Sequence, residues 1–228
     1  MTDSDGQIQD LQADAKGTRA GFVALIGSPN AGKSTLMNAM VGTKVSIVTP
    51  KVQTTRSRVR GIAMQDESQI IFIDTPGIFR PKRRLDRAMV QAAWKGADDG
   101  DVVLVMHDCA RREIDDDTRN IINQLAESGR RASLVLNKID LATPERLLSR
   151  TEELSSLYEF ERVFMISAET GNGIDDLRVW LADKMPPSPF LFDPDDLSDM
   201  PLRLLAAEIL REKLFLNLHQ ELPYQLTV

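Results

Sequence analysis

Gly27-Ser28-Pro29-Asn30-Ala31-Gly32-Lys33-Ser34 stands directly after the apolar run Phe22 to Ile26 and directly before a helix-compatible stretch. No other feature of the chain narrows its fold as much. The spacing is GxxxxGK[ST], whose glycines let the backbone turn tightly enough that successive N–H groups face a phosphate, while the following helix adds its positive end. Lys33 is placed to bridge β- and γ-phosphates, and the Ser34 hydroxyl to bind Mg²⁺. Such a loop works only between a strand and a helix.

The rest of the chain continues that unit. From Gly21 onward, short apolar runs (FVALI, QIIFI, VVLVM, ASLVL, RVFMI) alternate with helix-compatible stretches, which predicts an α/β domain on a largely parallel sheet. Strands are expected at 22–26, 59–64, 69–73, 102–106, 132–136 and 162–166, the second and third close enough to pair antiparallel. Helices are expected at 34–41, 85–97, 115–128, 144–157 and 174–184. The sum is a six-stranded mixed sheet with five helices.

Both ends differ in character. Residues 1–19 are polar, mostly acidic and without an aromatic residue, and read as a disordered tail. Residues 20–185 hold the α/β pattern. Met185-Pro186-Pro187-Ser188-Pro189, followed by Pro194 and Pro201 among several Asp, cannot continue a helix ending near Lys184, so 186–200 reads as a linker. Apolar residues then recur at helical spacing from about 202 to 218, and PYQLTV resembles an opening strand, so 201–228 reads as a second element without a core of its own.

Composition excludes several classes. The 228 residues carry 28 basic and 34 acidic side chains, a net charge of −6 that argues against wholesale coating of nucleic acid. Basic residues are instead local: Lys51, Arg56, Arg58 and Arg60 in one group, and Arg80, Lys82, Arg83, Arg84 and Arg87 in another, either solvated loop charge or a face for RNA phosphates. One Cys (Cys109) and two distant His (His107, His219) exclude a disulfide framework and ordinary Cys/His zinc sites, and Cys109 has no neighbour that would activate it. His107 is expected as a packed or surface imidazole rather than a base. The apolar runs are far short of the roughly 18 residues that span a bilayer, and the N-terminus lacks a signal peptide's basic and apolar regions, which together predict a cytoplasmic protein.

The phosphate loop alone leaves ATPases, kinases and GTPases open, so the base must be read elsewhere. Asn137-Lys138-Ile139-Asp140 follows the strand ASLVL. A carboxylate at Asp140 can accept from both the N1–H and the 2-amino group of guanine, donors that adenine does not offer there. Sites built on a required polar contact discriminate by about 10⁴ or more. The spacing therefore points to guanine, with the Lys138 stem along the purine face and Asn137 tying this loop to the phosphate loop. Ser167-Ala168 follows the strand RVFMI, where a backbone N–H can reach guanine O6.

Asp74-Thr75-Pro76-Gly77 ends the strand QIIFI, placing Asp74 as a Mg²⁺-side carboxylate and the Gly77 N–H as a γ-phosphate contact; an ordinary turn is the other reading. Between these motifs lies Thr49-Pro50-Lys51-Val52-Gln53-Thr54-Thr55-Arg56, too long for a tight connection. One Thr, Thr55 or else Thr54, is expected to reach Mg²⁺ and the γ-phosphate, so that the segment orders with the triphosphate and releases on hydrolysis. Thr35 and Glu169 complete the expected nucleotide contacts.

The set GSPNAGKS, QTTR, DTPG, NKID and SA, with AAEILREKLFLNLHQELPY after a Pro-rich stretch, resembles the Era family of bacterial GTPases from about residue 20 to the end. The resemblance implies a three-layer P-loop GTPase sandwich followed by the start of a KH-type α+β domain. It implies GTP and GDP as ligands, Mg²⁺ as cofactor, and the small ribosomal subunit and its 16S rRNA as partners. A monomer, with peripheral visits to the inner membrane, is also implied. The chain stops at Val228, so the GXXG loop that clamps RNA backbone in such domains has no counterpart after the linker. Many GTPases carry Gln directly after the DxxG glycine; here it is Ile78, a replacement usual in this family. In related GTPases an Asn at the place of Asn30 helps hold K⁺ beside the phosphates, the other reading being a loop brace. The expectation is GTP hydrolysis timing small-subunit assembly, the alternative a nucleotide-gated ribosome-binding module with negligible turnover.

Overall fold

The computed structural model describes residues 17–48, 59–79 and 84–217. Six strands form one sheet: β1 (Arg19–Gly27), β2 (Val59–Gln65), β3 (Ser68–Asp74), β4 (Val102–Asp108), β5 (Ser133–Asn137) and β6 (Val163–Met165). Their order is β2-β3-β1-β4-β5-β6, with β2 and β3 antiparallel and every other pair parallel. The helices are α1 (Lys33–Val41), α2 (Arg84–Asp98), α3 (Asp116–Ser128), α4 (Pro144–Leu157), α5 (Ile174–Lys184) and α6 (Leu202–Asn217). The mixed sheet with one antiparallel strand and five associated helices is the architecture that the alternating pattern predicts.

Why the strands read as unbroken apolar runs is plain from the two cores. Successive side chains of a strand point to opposite faces, so Val23 and Leu25 join α1 and α5 residues Leu36, Met37, Leu177 and Leu181 on one side. Ala24 and Ile26 join Ala93 of α2, Ile121 and Leu125 of α3 and Leu154 of α4 on the other. A sheet covered on both faces needs apolar residues at every position, and that is the signature of a parallel α/β sheet. The helices start where local chemistry allows. Asp115 caps α3 by accepting from the Thr118 N–H at 2.9 Å, and Thr143 precedes Pro144 at the first position of α4.

Several boundaries differ from expectation. β1 begins at Arg19, three residues before the expected strand, because Arg19 pairs with Ser68 and its guanidinium donates to the carbonyls of Asp183 and Met185, both at 3.0 Å. β5 starts and ends one residue later than expected, and β6 is confined to three residues.

The Pro- and Asp-rich stretch expected as a linker does not run free. Pro187 bridges Arg19 and Ser198 bridges Gly61, while the Ile62 N–H donates to Leu197 O at 3.0 Å. Midway, the buried Gln69 accepts from the Leu191 and Phe192 N–H groups at 2.8 and 3.0 Å. The composition marks a segment that makes no helix, but several of its backbone groups are met in turn by Arg19 of β1, Gln69 of β3 and the edge strand β2, where Leu197 and Ser198 cover part of that edge. Beyond it, Glu212 of α6 is buried and accepts from the Val48 N–H at 2.9 Å and from Lys44. The expected tail up to residue 16, the segment with Thr54 and Thr55, the basic residues Lys51, Arg56, Arg58, Arg80, Lys82 and Arg83, and His219 with the terminal PYQLTV lie outside the described residues.

Candidate functional site

Open α/β sheets bind ligands beyond the carboxyl ends of their strands, where neighbouring connections leave in opposite directions. Four of the motifs read from the sequence fall there. GSPNAGKS follows β1, DTPG follows β3, NKID follows β5 and Ser167-Ala168 follows β6.

The phosphate loop is as tight as its glycines allow. A Cβ on Gly27 would lie 2.6 Å from Met106 O, and one on Gly32, whose φ is +97°, would lie 2.1 Å from Asn137 Nδ2. Neither place accepts another residue without moving backbone or Asn137. Asn30 also has a left-handed backbone, with φ 64°. Lys33 is buried, and its ammonium donates to Gly27 O and Ser28 O, both at 3.1 Å. Burial lowers its pKa to about 8, against an opposing pull from Asp74 and with a further push down from Arg111. A cation held in that position is ready for an anion.

Asp74 is fully buried at the end of β3 and accepts from Ser34 Oγ at 2.6 Å and from Ser46 Oγ at 3.0 Å. The Ser34 hydroxyl and Asp74 carboxylate are thus hard oxygen donors side by side, the donor chemistry that Mg²⁺ takes. Among the described residues no group of three His, Cys, Asp or Glu is placed to hold a metal ion. Thr75 anchors the following turn by donating to Leu25 O at 2.7 Å. Gly77 then passes so close to Pro29 that a Cβ would come within 2.9 Å of Pro29 Cα. The Ile78 N–H donates to Gly27 O at 3.0 Å, and its side chain is buried in the core beside Ala93 and Ala97.

Asn137 joins the other half of the site. Its Nδ2 donates to Ala31 O at 2.9 Å and its Oδ1 accepts from the Ala168 N–H at 3.0 Å, so one carboxamide links the phosphate loop, NKID and Ser167-Ala168. Lys138 has φ 64°, and its ammonium pairs with Asp108 at 2.7 Å. Asp140 is exposed in the short 3₁₀ turn Ile139–Leu141. Ser167 is buried; its N–H donates to Asn172 O at 2.9 Å and its Oγ accepts from the Thr170 N–H at 3.2 Å. The N–H groups of Ser167 and Ala168 are therefore both engaged within the protein. Gly173, with φ +75° and only 2.4 Å between a notional Cβ and Met165 O, closes this turn.

The sequence reading passed over Asp108, Arg111, Asp115 and Ser46. Only Asp115 carried a local signal, its place as a helix cap three residues before Thr118. His107 is buried on β4 with neither ring nitrogen hydrogen-bonded among the described residues, and burial lowers its pKa to about 4. Burial likewise pushes Cys109 up to about 12, so the thiol is inert.

Residues 22–138 match the family described as 50S ribosome-binding GTPase. The chain is 57% identical over 221 residues to the GTPase Era of Dinoroseobacter shibae, covering 96% of this chain and 71% of that protein. A crystal structure of Era in complex with MgGDPNP and nucleotides 1506–1542 of 16S ribosomal RNA is similar at a TM-score of 0.84 and 38% identity, over 91% of this chain and 70% of that one. An Aquifex aeolicus Era variant bound to GDP and AlF4⁻ is similar at 0.83 and 39% identity, over 90% and 70%.

Proposed function

This chain belongs to the Era family of GTPases, and on that premise we propose that its hydrolysis of GTP to GDP and phosphate is a timing switch in the maturation of the small ribosomal subunit, with 16S rRNA as partner. The observation that supports the reading best is the pair of hydrogen bonds by which Asn137 donates to Ala31 O and accepts from the Ala168 N–H, joining a phosphate cradle to a base-reading loop.

The residues divide the work as follows. The backbone from Gly27 to Ser34 and the Thr35 side chain cradle the phosphates, with Lys33 moving from the loop's own carbonyls to the β- and γ-oxygens. Asp140 takes the guanine N1–H and 2-amino group, and the Lys138 stem covers the purine face. The Ala168 N–H, shared with Asn137 as a three-centre bond, or the Glu169 N–H beyond it meets guanine O6. Ser34, Asp74 and Thr55 (or Thr54) would hold Mg²⁺, which would supply positive charge beside the phosphates. Gly77 follows Thr75 and Pro76 toward the γ-phosphate and donates its N–H. Ile78 has no group to orient water, so transition-state charge must be met from the phosphate loop, and Asn30 is the residue we assign to a K⁺ ion there.

Residues 19–185 form the GTP-binding unit, 186–200 connect, and 201–228 open a KH-type domain; the expected tail of 1–19 is shortened, since Arg19 is the first residue of β1. We place the protein as a monomer in the cytoplasm, touching the inner membrane only peripherally. Replacing Arg83 and Arg84 by Ala is expected to weaken small-subunit binding and flatten its salt dependence while GTP affinity holds.

The test is single-turnover hydrolysis with and without small subunits, in K⁺ and in Na⁺ at equal ionic strength. Faster turnover in K⁺ and nucleotide-dependent subunit binding are expected. Equal rates in both salts remove the ion from Asn30, and subunit binding indifferent to nucleotide overturns the switch.

A further inference from the structure

The connection between β4 and α3 carries none of the motifs, yet it reaches the phosphate loop. Arg111 Nη2 donates to Pro29 O at 2.8 Å and Nη1 to Asp115 Oδ2 at 2.7 Å. Asp115 is itself fixed, accepting from the Thr118 N–H and hydroxyl, both at 2.9 Å. Burial works to raise the Asp115 pKa, but these bonds, Arg111 and His107 outweigh it and hold the carboxylate below its ordinary range, so the anchor is charged. Arg111 is a guanidinium with one prong on a helix cap and the other on the second variable residue of the phosphate loop.

That grip has a consequence across one peptide bond. The described peptides are all trans, so the Pro29 C=O and the Asn30 N–H point in opposite directions from one rigid plane. Fixing the carbonyl on Arg111 fixes where the Asn30 N–H points, on the side away from Arg111. The same Pro29 is met at its Cα by Gly77, whose missing Cβ leaves room for the approach.

We propose that Arg111 is a positioning residue for GTP hydrolysis: by holding the Pro29 carbonyl it aims the Asn30 N–H at the phosphates and sets the surface on which Gly77 seats. The proposal rests on the phosphate-loop reading above. An oriented donor matters most where charge develops, so its loss falls on kcat rather than on ground-state binding. Arg111→Ala is expected to lower single-turnover kcat about tenfold, less than the hundredfold or more that direct removal of such a donor costs. GDP affinity and KM for GTP change less than about threefold on the same argument. Arg111→Lys can reach Pro29 O or Asp115 but lacks the fork for both, so it restores only part of the rate.

Lys184→Ala serves as the control, since Lys184 ends α5 and its ammonium pairs with Glu161 just before β6, at the opposite end of the sheet from the phosphate loop. It should retain the wild-type rate. Hydrolysis by the unaltered protein in the same assay carries the GTPase reading separately. Urea unfolding of each variant accompanies the kinetics. A kcat within twofold of wild type for Arg111→Ala overturns the proposal. So does a parallel rise in KM, or a rate loss that Lys184→Ala reproduces.

Discussion

Gln69 holds Phe192 by both ends of one peptide-like clasp: Oε1 accepts from the Phe192 N–H at 3.0 Å, and Nε2 donates to Phe192 O at 2.9 Å. Gln69 is fully buried in β3, so this side chain stitches the Pro-rich segment to the sheet from inside. Removing it leaves three backbone groups of residues 191 and 192 without their partner.

Gln69→Ala is accordingly expected to cost about 2 kcal/mol of stability, the scale for orphaning buried donors and acceptors. Urea titration followed by circular dichroism measures it. Limited proteolysis of the folded protein should cut first between Pro189 and Pro194. A variant that keeps wild-type stability and resists cleavage there shows that the clasp is incidental.

The nucleotide motifs were legible because each is a short run of residues that dictates its own backbone. Gly32 at φ +97° and Lys138 at φ 64° do locally what their loops require. The two-faced core was legible for a similar reason, since Val23 and Ala24 are both apolar although they point to opposite layers. What escaped are pairings made by topology. Arg111 meets Pro29 across 82 positions, Gln69 meets Phe192 across 123, and Glu212 meets Val48 across 164. No spacing rule connects such partners, and an Arg in a polar loop looks the same whether it is solvated or clasping a carbonyl. The start of β1 at Arg19 escaped in the same way: Ser68, not Arg19's own neighbours, makes it a strand residue.

Asp140 is exposed and on a 3₁₀ turn, and among the described residues it lacks the internal bonds that tie down Asn137 and Lys138. Under the guanine reading its carboxylate pairs with two donors, and an amide in its place presents a donor of its own to one of them. Asp140→Asn is expected to weaken GTP binding by at least about a hundredfold and to favour XTP, whose 2-oxo group accepts from the new amide. Competition with labelled GDP reads both changes at once. GTP still preferred over XTP would falsify the assignment of the base.

His107 supplies a pH dependence whose sign is fixed by burial. Burial first, then the Arg150 guanidinium, lower its pKa from 6.5 to about 4, while Asp115 and Asp108 pull the other way and Arg111 adds to the lowering. Between those values the unfolded chain binds the proton and the folded one does not. The stabilising contribution is therefore complete above pH 6.5 and is lost as pH falls toward 4, by about 2 kcal/mol between pH 6.5 and 5. Urea midpoints measured across that range should fall in the wild type and fall less in His107→Leu. Equal slopes would mean that the imidazole finds a proton partner within the fold.

Ile78 occupies the position where many GTPases orient water with Gln, and grafting Gln there is the obvious attempt to raise the rate. The structure predicts failure. Ile78 is 3% exposed, packed with Ala93 and Ala97, and its N–H already donates to Gly27 O at 3.0 Å. A carboxamide in that place replaces buried aliphatic surface and brings polar atoms into an apolar cluster. Ile78→Gln is expected to cost about 3 kcal/mol of stability and to leave kcat at or below the wild-type value. Unfolding and single-turnover hydrolysis on one preparation decide it: a faster rate with unchanged stability would mean that residue 78 turns out of the core when the triphosphate is bound.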